Sequence, residues 1–226
     1  MKKVKYNTLG IITSYILKLL IITLIILTIV EQQWVWLFGS ILGLILSLVP
    51  SILKRNYQIT LPLQLDLLIT TSLLLHIGGG VLNAYHTIPH YDTLTHFVSS
   101  FLIAFLAFVV IYILHIYWDG IIMNKYAMAF LVVFCTAAIG VIWEFNEWTI
   151  DIIFSASEQW GYNDTIKDLS VDTLAGAVMA IIGVNMIKKG SFDEMTKDFG
   201  EQIDKKVIKK MEQRHKKKKK EGKQKK

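Results

Sequence analysis

Six stretches of this chain are each apolar over about the length that crosses a lipid bilayer: 9–30, 34–51, 61–81, 93–117, 126–154 and 169–187. A spanning helix needs roughly 20 mostly apolar residues at a rise of about 1.5 Å each. Inside hydrocarbon every backbone N–H and C=O must find its partner within the protein, and segments of this kind satisfy that as helices. The expected fold is therefore all-α, a polytopic membrane protein of about six transmembrane helices whose first partner is the lipid bilayer. A hydrophobic content of 53% and a mean hydropathy of +0.46 agree with this and exceed what soluble domains carry. The second stretch is short and ends at Pro50, and the fifth is long enough to tilt or to project. The basic start, Met1-Lys2-Lys3-Val4-Lys5, resembles the head of a signal peptide, but no small-x-small cleavage site follows, so it is read as part of a retained first span.

The net charge of +6 suggests an anionic partner until it is located along the chain. From Lys188 onward there are 16 basic and 7 acidic residues, a surplus of nine, so positions 1–187 carry a net charge of −3. Two regions result: a six-helix transmembrane domain over 1–187 and a polybasic tail over 188–226. In the tail Phe192, Met195, Phe199, Ile203, Val207 and Met211 recur every three or four residues, which makes an amphipathic stripe. Such a stripe, with the Lys216–Lys220 run beyond it, suits a leaflet rich in anionic lipids. No nucleic acid is expected, because the basic run has no interleaved aromatics. The lone cysteine, Cys135, excludes an internal disulfide and a cysteine-based zinc cage.

Short loops on the cytoplasmic side retain Lys and Arg, and the distribution here is one-sided. Lys2, Lys3, Lys5, Lys54, Arg55, Lys125 and the tail fall on one side, and Lys167 alone falls on the other. Both termini are thus expected in the cytoplasm, with the protein in the plasma membrane. Trp34, Trp36, Trp143, Trp148 and Trp160 then mark the outer interface and Trp118 the inner one. On that topology the acids and histidines gather at the outer end. The inner side has Asp66 and Asp119, and Asp66 is placed to pair with Lys18, unless Lys18 snorkels to the headgroups.

Three clusters make up the outer set. Asp92 and His96 are four apart and share one helix face, a spacing that suits a chelate or an acid–base pair; Asp92 alone also suits a helix cap. Glu144, Glu147 and Asp151 form an acidic stripe at i, i+3 and i+7, either inside the end of span five or on a wet surface beyond it. Asp164, Asp168 and Asp172 recur every four residues into span six, followed one turn later by Gly176. His76, His86 and His90 lie at the same end, and Gly78-Gly79-Gly80 ends span three at a close approach or a break. Carboxylates with imidazole admit a divalent cation, magnesium, calcium or manganese for the oxygens and zinc or iron with more nitrogen. Without a metal the same groups serve as a proton relay or as general acid and base, for which Asp92, His96, Glu144 and Glu147 are the candidates.

The stretches Tyr91-Asp92-x-x-x-His96-Phe97, Trp143-Glu144-x-x-Glu147-Trp148 and Asp164-Thr165-x-x-Asp168-Leu169-x-x-Asp172-Thr173 resemble the YjdF-type inner-membrane proteins, a domain-of-unknown-function group. More distantly they are similar to the VanZ-like proteins associated with glycopeptide-antibiotic resistance. The late arginine of that second group has no counterpart here, where Lys167 is the base nearby. The resemblance covers roughly 60–190, implies a multi-span architecture and a role for Asp92, His96, Glu144, Glu147, Asp164, Asp168 and Asp172, and names no substrate. Three functions stay open: a cation-dependent protein acting on a lipid or envelope-precursor headgroup, a transporter or proton- or cation-binding membrane protein, and a non-catalytic assembly factor.

Overall fold

The computed structural model describes residues 8–57, 61–117, 122–154 and 159–197, and among these residues it contains helices and short connections but no strand. In chain order the helices are α1 (Thr8–Val30), α2 (Trp34–Ser47), α3 (Val49–Tyr57), α4 (Leu63–Val81), α5 (Ala84–Thr87), α6 (Tyr91–Tyr117), α7 (Lys125–Phe154) and α8 (Tyr162–Lys188). Six spans are long and apolar enough to cross a membrane, with α2 and α3 together supplying the second over Trp34–Asn56. The division between α2 and α3 falls beside Pro50, which has no N–H and whose ring crowds the carbonyl four residues earlier. Leu48 caps α2 there, its N–H bonding to the carbonyls of Leu44 and Ile45.

In α2 the placement of residues is inside-out relative to a soluble bundle. The buried residues of α2 are Ser40, Gly43 and Ser47, whereas Phe38, Ile41, Leu42, Ile45 and Leu46 are exposed. Between helices in lipid, small residues permit close backbone approach, and apolar side chains are solvated by acyl chains. The hydroxyls of Ser40 and Ser47 donate back to the carbonyls of Trp36 and Leu44, so their polarity is satisfied within one helix.

The bundle consists of two groups of three helices, α1/α2/α4 and α6/α7/α8, joined where α4 packs on α6. Ile21, Leu24, Ile77 and Val81 fill the first group. The second group has the larger core, built from Leu102, Phe105, Phe108, Met128, Val132 and Met179. An even number of crossings brings the start of α1 and the end of α8 to one end of the bundle. The opposite end, where α4 stops and α6 begins, is called the site end below.

Two features fill the end remote from the site. Lys18 of α1 lies 3.0 Å from Asp66 of α4, and the pair is completed by Ser14 and Thr70. The pairing expected from their shared level is thus formed, as a buried network and not as a lysine reaching for headgroups. Beyond α8 the chain is helical again over 191–197, and Phe192 is fully buried among Phe105, Phe108 and Tyr112, with ring centroids 5.1 Å from the latter two. The Tyr112 hydroxyl donates to Asp193 beside it. The stripe that begins at Phe192 therefore turns its first aromatic into the bundle. Lys2, Lys3, Lys5, Trp118, Asp119, Phe199, Ile203, Val207, Met211 and the Lys216–Lys220 run lie outside the described residues.

Candidate functional site

At the site end, α6, α7 and α8 bring all three clusters to one place. Asp92, His96 and Ser100 follow at four-residue intervals down one face of α6. Glu144 and Glu147 face them from α7. Asp168 and Asp172 do so from α8, which starts at Tyr162, ahead of the apolar stretch that begins at 169, so that the aspartate ladder from Asp164 onward is helical. Asp164, Lys167 and Asp168 lower the average hydropathy of that extra length, although Asp168 is buried against the bundle.

His96 is the hub. Its Nδ1 lies 3.2 Å from Asp172 Oδ1, an oxygen that also accepts from the Ser100 hydroxyl at 2.7 Å. Its Nε2 faces Asp92 Oδ1 at 3.7 Å and Glu147 Oε1 at 3.9 Å, too far for strong hydrogen bonds and with space between. Glu147 Oε1 in turn accepts from the Trp143 indole N–H at 2.7 Å. Helix α7 reaches this position through Gly140, where a side chain would collide with Asp172. The glycine thus sets the depth at which Asp172 meets His96.

Three carboxylate oxygens here are buried without a hydrogen-bond donor: Asp92 Oδ2, Glu144 Oε1 and Asp168 Oδ1. Asp168 is 2% exposed and Glu144 6%, so water does not screen them well. Lys167 is the nearby cation, at 2.6 Å from Asp164, 3.6 Å from Asp168 and 3.7 Å from Asp92, and it is itself exposed at the mouth. Asp92, Glu144, Glu147, Asp164, Asp168 and Asp172 together outnumber one ammonium and one imidazole. Buried charge without a partner costs several kcal/mol, so this arrangement calls for protons or a cation. Two sets, Asp92/His96/Asp168 and His96/Glu144/Glu147, each offer ligand atoms within 4.8 Å of one another.

Not every expected residue joins. Asp164 reaches the cluster through Lys167 alone, and Asp151 turns away to accept the backbone N–H of Gln159. Asp92 lies in the first turn of α6, and its carboxylate faces His96 and Lys167. His76 packs against Trp36, Trp143 and Tyr85, and its Nδ1 is 2.8 Å from the Tyr85 hydroxyl. Burial pushes that Tyr85 hydroxyl far above the ordinary tyrosine range, so it stays protonated. Ser100, Trp143 and Tyr85 were not evident as site residues. Ser100 had a usable signal, lying one helical turn beyond His96 on the face that Asp92 and His96 define.

Two adjoining spaces lead to the cluster. A cavity of about 100 Å3 reaches Asp92 and Glu147, and a wider vestibule of about 650 Å3 is lined by His86, His90, Tyr91, Asp92 and Lys167. Tyr85, His86, Asp92 and Trp160 border both, so the two spaces adjoin.

Fold and site together define a multi-pass membrane protein that gathers buried carboxylates around one histidine at one end of its bundle. The chain belongs to the family described as predicted membrane protein (DUF2238), which matches residues 12–189 and so includes every residue of the cluster. This membership is consistent with the YjdF-type resemblance of the three motifs. The chain is similar to an uncharacterized protein of Thermotoga maritima, with 33% identity over 146 residues, covering 63% of this chain and 73% of the relative. No solved structure matches it.

Proposed function

We propose that this protein binds a divalent cation at the His96 cluster and uses it to engage the phosphate of a lipid or envelope-precursor headgroup. The observation that carries this reading is the surroundings of His96. Nδ1 is held by Asp172, which leaves Nε2 as the free ligand facing Asp92 Oδ1 and Glu147 Oε1, and the surrounding Asp92, Glu144 and Asp168 carboxylates each carry a buried oxygen without a donor. A metal-bound histidine commonly has its second nitrogen anchored by a carboxylate, which fixes the tautomer and raises ligand basicity. Hard oxygens with one imidazole suit magnesium or manganese. In this reading Asp92, Glu144, Glu147 and Asp168 are the oxygen ligands, Asp172 and Ser100 orient His96, and Lys167 draws anions to the mouth. The cation would supply positive charge for headgroup phosphate oxygens.

The reading includes an orientation. The site end faces outward across the plasma membrane and both termini are cytoplasmic, because Lys54, Arg55, Lys125 and Lys188 at the end of α8 share the other side. The tail over 188–226 then adjoins the inner leaflet, where its lysines would contact anionic lipids. The reading rests on this geometry and not on the VanZ-like resemblance.

The test is metal analysis of the purified full chain after manganese loading and desalting, beside Asp92→Ala, His96→Ala and Glu147→Ala. Stoichiometric manganese in the parent and its loss in the variants is expected. Manganese near zero in the parent would overturn the reading.

A further inference from the structure

The cavity beside the cluster has a chemistry that the cation does not use. The rings of Trp36, Tyr85 and Trp160 line it together with the polar side chains of His76, Asn83 and His86, and Asp92 and Glu147 border the same space. The glycine run at the end of α4 builds these walls. A side chain at Gly80 would occupy the position of the Trp36 ring, and one at Gly79 would come within 2.5 Å of Tyr85. Both rings can therefore lie against the bare backbone of α4. The Tyr91 hydroxyl, bonded to the Leu75 carbonyl at 2.8 Å, fixes the start of α6 against the same helix, and His76 holds Tyr85 by its hydroxyl. The cavity is thus a built feature.

Aromatic rings with carboxylates at one end recognise an organic cation, through ring quadrupoles and through charge. The volume of about 100 Å3 is smaller than the roughly 150 Å3 that accepts benzene, which limits the guest to a few heavy atoms. The adjoining vestibule has the opposite preference. Lys167, His86 and His90 present an ammonium and ring N–H groups there, donors for an anion. Asp92 and Glu147 both border this cavity, so their carboxylates give it a negative end.

We propose that the two spaces form one subsite for a phosphate joined to an ammonium by a short linker, with the ammonium in the aromatic cavity and the phosphate in the vestibule beside Lys167. This names the headgroup class of the function proposed above and rests on that reading for its placement at a headgroup-facing site. A zwitterionic lipid headgroup and a free phospho-amine share this chemistry.

The experiment is calorimetric titration of the purified full chain with glycerophosphoethanolamine, with glycerophosphoglycerol, and with a short-chain phosphatidylethanolamine below its micelle concentration. Manganese uptake is measured on the same samples. Saturable binding of both amines, with no binding of the glycerol analogue, is expected. Trp36→Leu and Trp160→Leu should each weaken amine binding about tenfold, as loss of one cation–π contact implies, while manganese uptake persists. Equal binding of the glycerol analogue, or no binding of either amine, overturns the proposal on the parent chain alone, whether or not the variants fold. Tighter binding of the acylated probe assigns the site to lipid, and equal binding assigns it to the free headgroup; the proposal stands in both cases. Manganese uptake without amine selectivity removes this proposal and leaves the cation site. Amine selectivity without manganese uptake does the reverse.

Discussion

Asp172 Oδ1 lies 3.2 Å from His96 Nδ1 and 2.7 Å from the Ser100 hydroxyl, so one buried oxygen of α8 holds two side chains of α6. Its position is set by Gly140 of α7, whose missing side chain gives Asp172 its space. Three helices thus meet at a carboxylate that is 1% exposed. If Asp172 orients His96 as a ligand, Asp172→Asn keeps an oxygen near Nδ1 but removes the charge. Manganese affinity should fall by about tenfold to a hundredfold, the usual effect of altering the group behind a metal-bound histidine. Titration of manganese against the purified variant measures this, and unchanged affinity would show that Asp172 serves packing alone.

Glu144 has a buried oxygen with no donor and lies near Glu147 and His96. Without a cation, its charge opposes folding through repulsion and burial. Glu144→Gln should therefore raise the melting temperature of the metal-free protein, by a free energy on the order of 1 kcal/mol. The same change should shrink the stabilisation that manganese adds. Thermal melts with and without manganese test both signs, and a lowered metal-free melting temperature would contradict the account.

Lys18 and Asp66 form a separate, well-satisfied pair, with Ser14 and Thr70 supplying the remaining hydrogen bonds. Removing one partner leaves an uncompensated charge between α1 and α4, and Lys18→Met should cost about 3–5 kcal/mol. Lys18→Met with Asp66→Leu should recover most of that loss, since neither charge then remains. Manganese binding should be unaffected in the double variant. Thermal stability of the three chains decides it, and a double variant no better than the single one would argue against a purely structural pair.

Orientation is tested by cysteine labelling in a chain whose Cys135 is replaced by serine. Thr87 is exposed at the site end, and Ile122, 88% exposed, lies at the other. With the site facing outward, Thr87→Cys should react with an impermeant thiol reagent on intact cells and Ile122→Cys only after lysis. The reversed pattern would place the site in the cytoplasm.

The number of spans was legible because each needs only length and hydropathy, which are local properties. Hydropathy alone begins the sixth stretch later than α8 does, since Asp164, Lys167 and Asp168 lower the average over its first turns, and the four-residue spacing of the aspartates is the signal that extends it. The three polar motifs were legible as candidates by their helical spacing, and their meeting was suggested by three consecutive spans. The role of Gly140 was hidden, because its partner Asp172 is on another helix and no spacing within α7 indicates it. The same holds for Gly80 and Trp36, which touch across the α2/α4 interface. Phe192 reads from sequence as one step of an amphipathic stripe, and only the packing of Phe105, Phe108 and Tyr112 reveals a socket for it.

The proposed cation site depends on His96 Nε2 as a ligand. Pulsed electron paramagnetic resonance of the manganese-loaded full chain reads this directly, because a nitrogen bonded to manganese modulates the electron spin echo. The account predicts nitrogen modulation in the parent and in Lys18→Met with Asp66→Leu, and its loss in His96→Ala. Bound manganese without nitrogen modulation, or modulation that survives in His96→Ala, would contradict it.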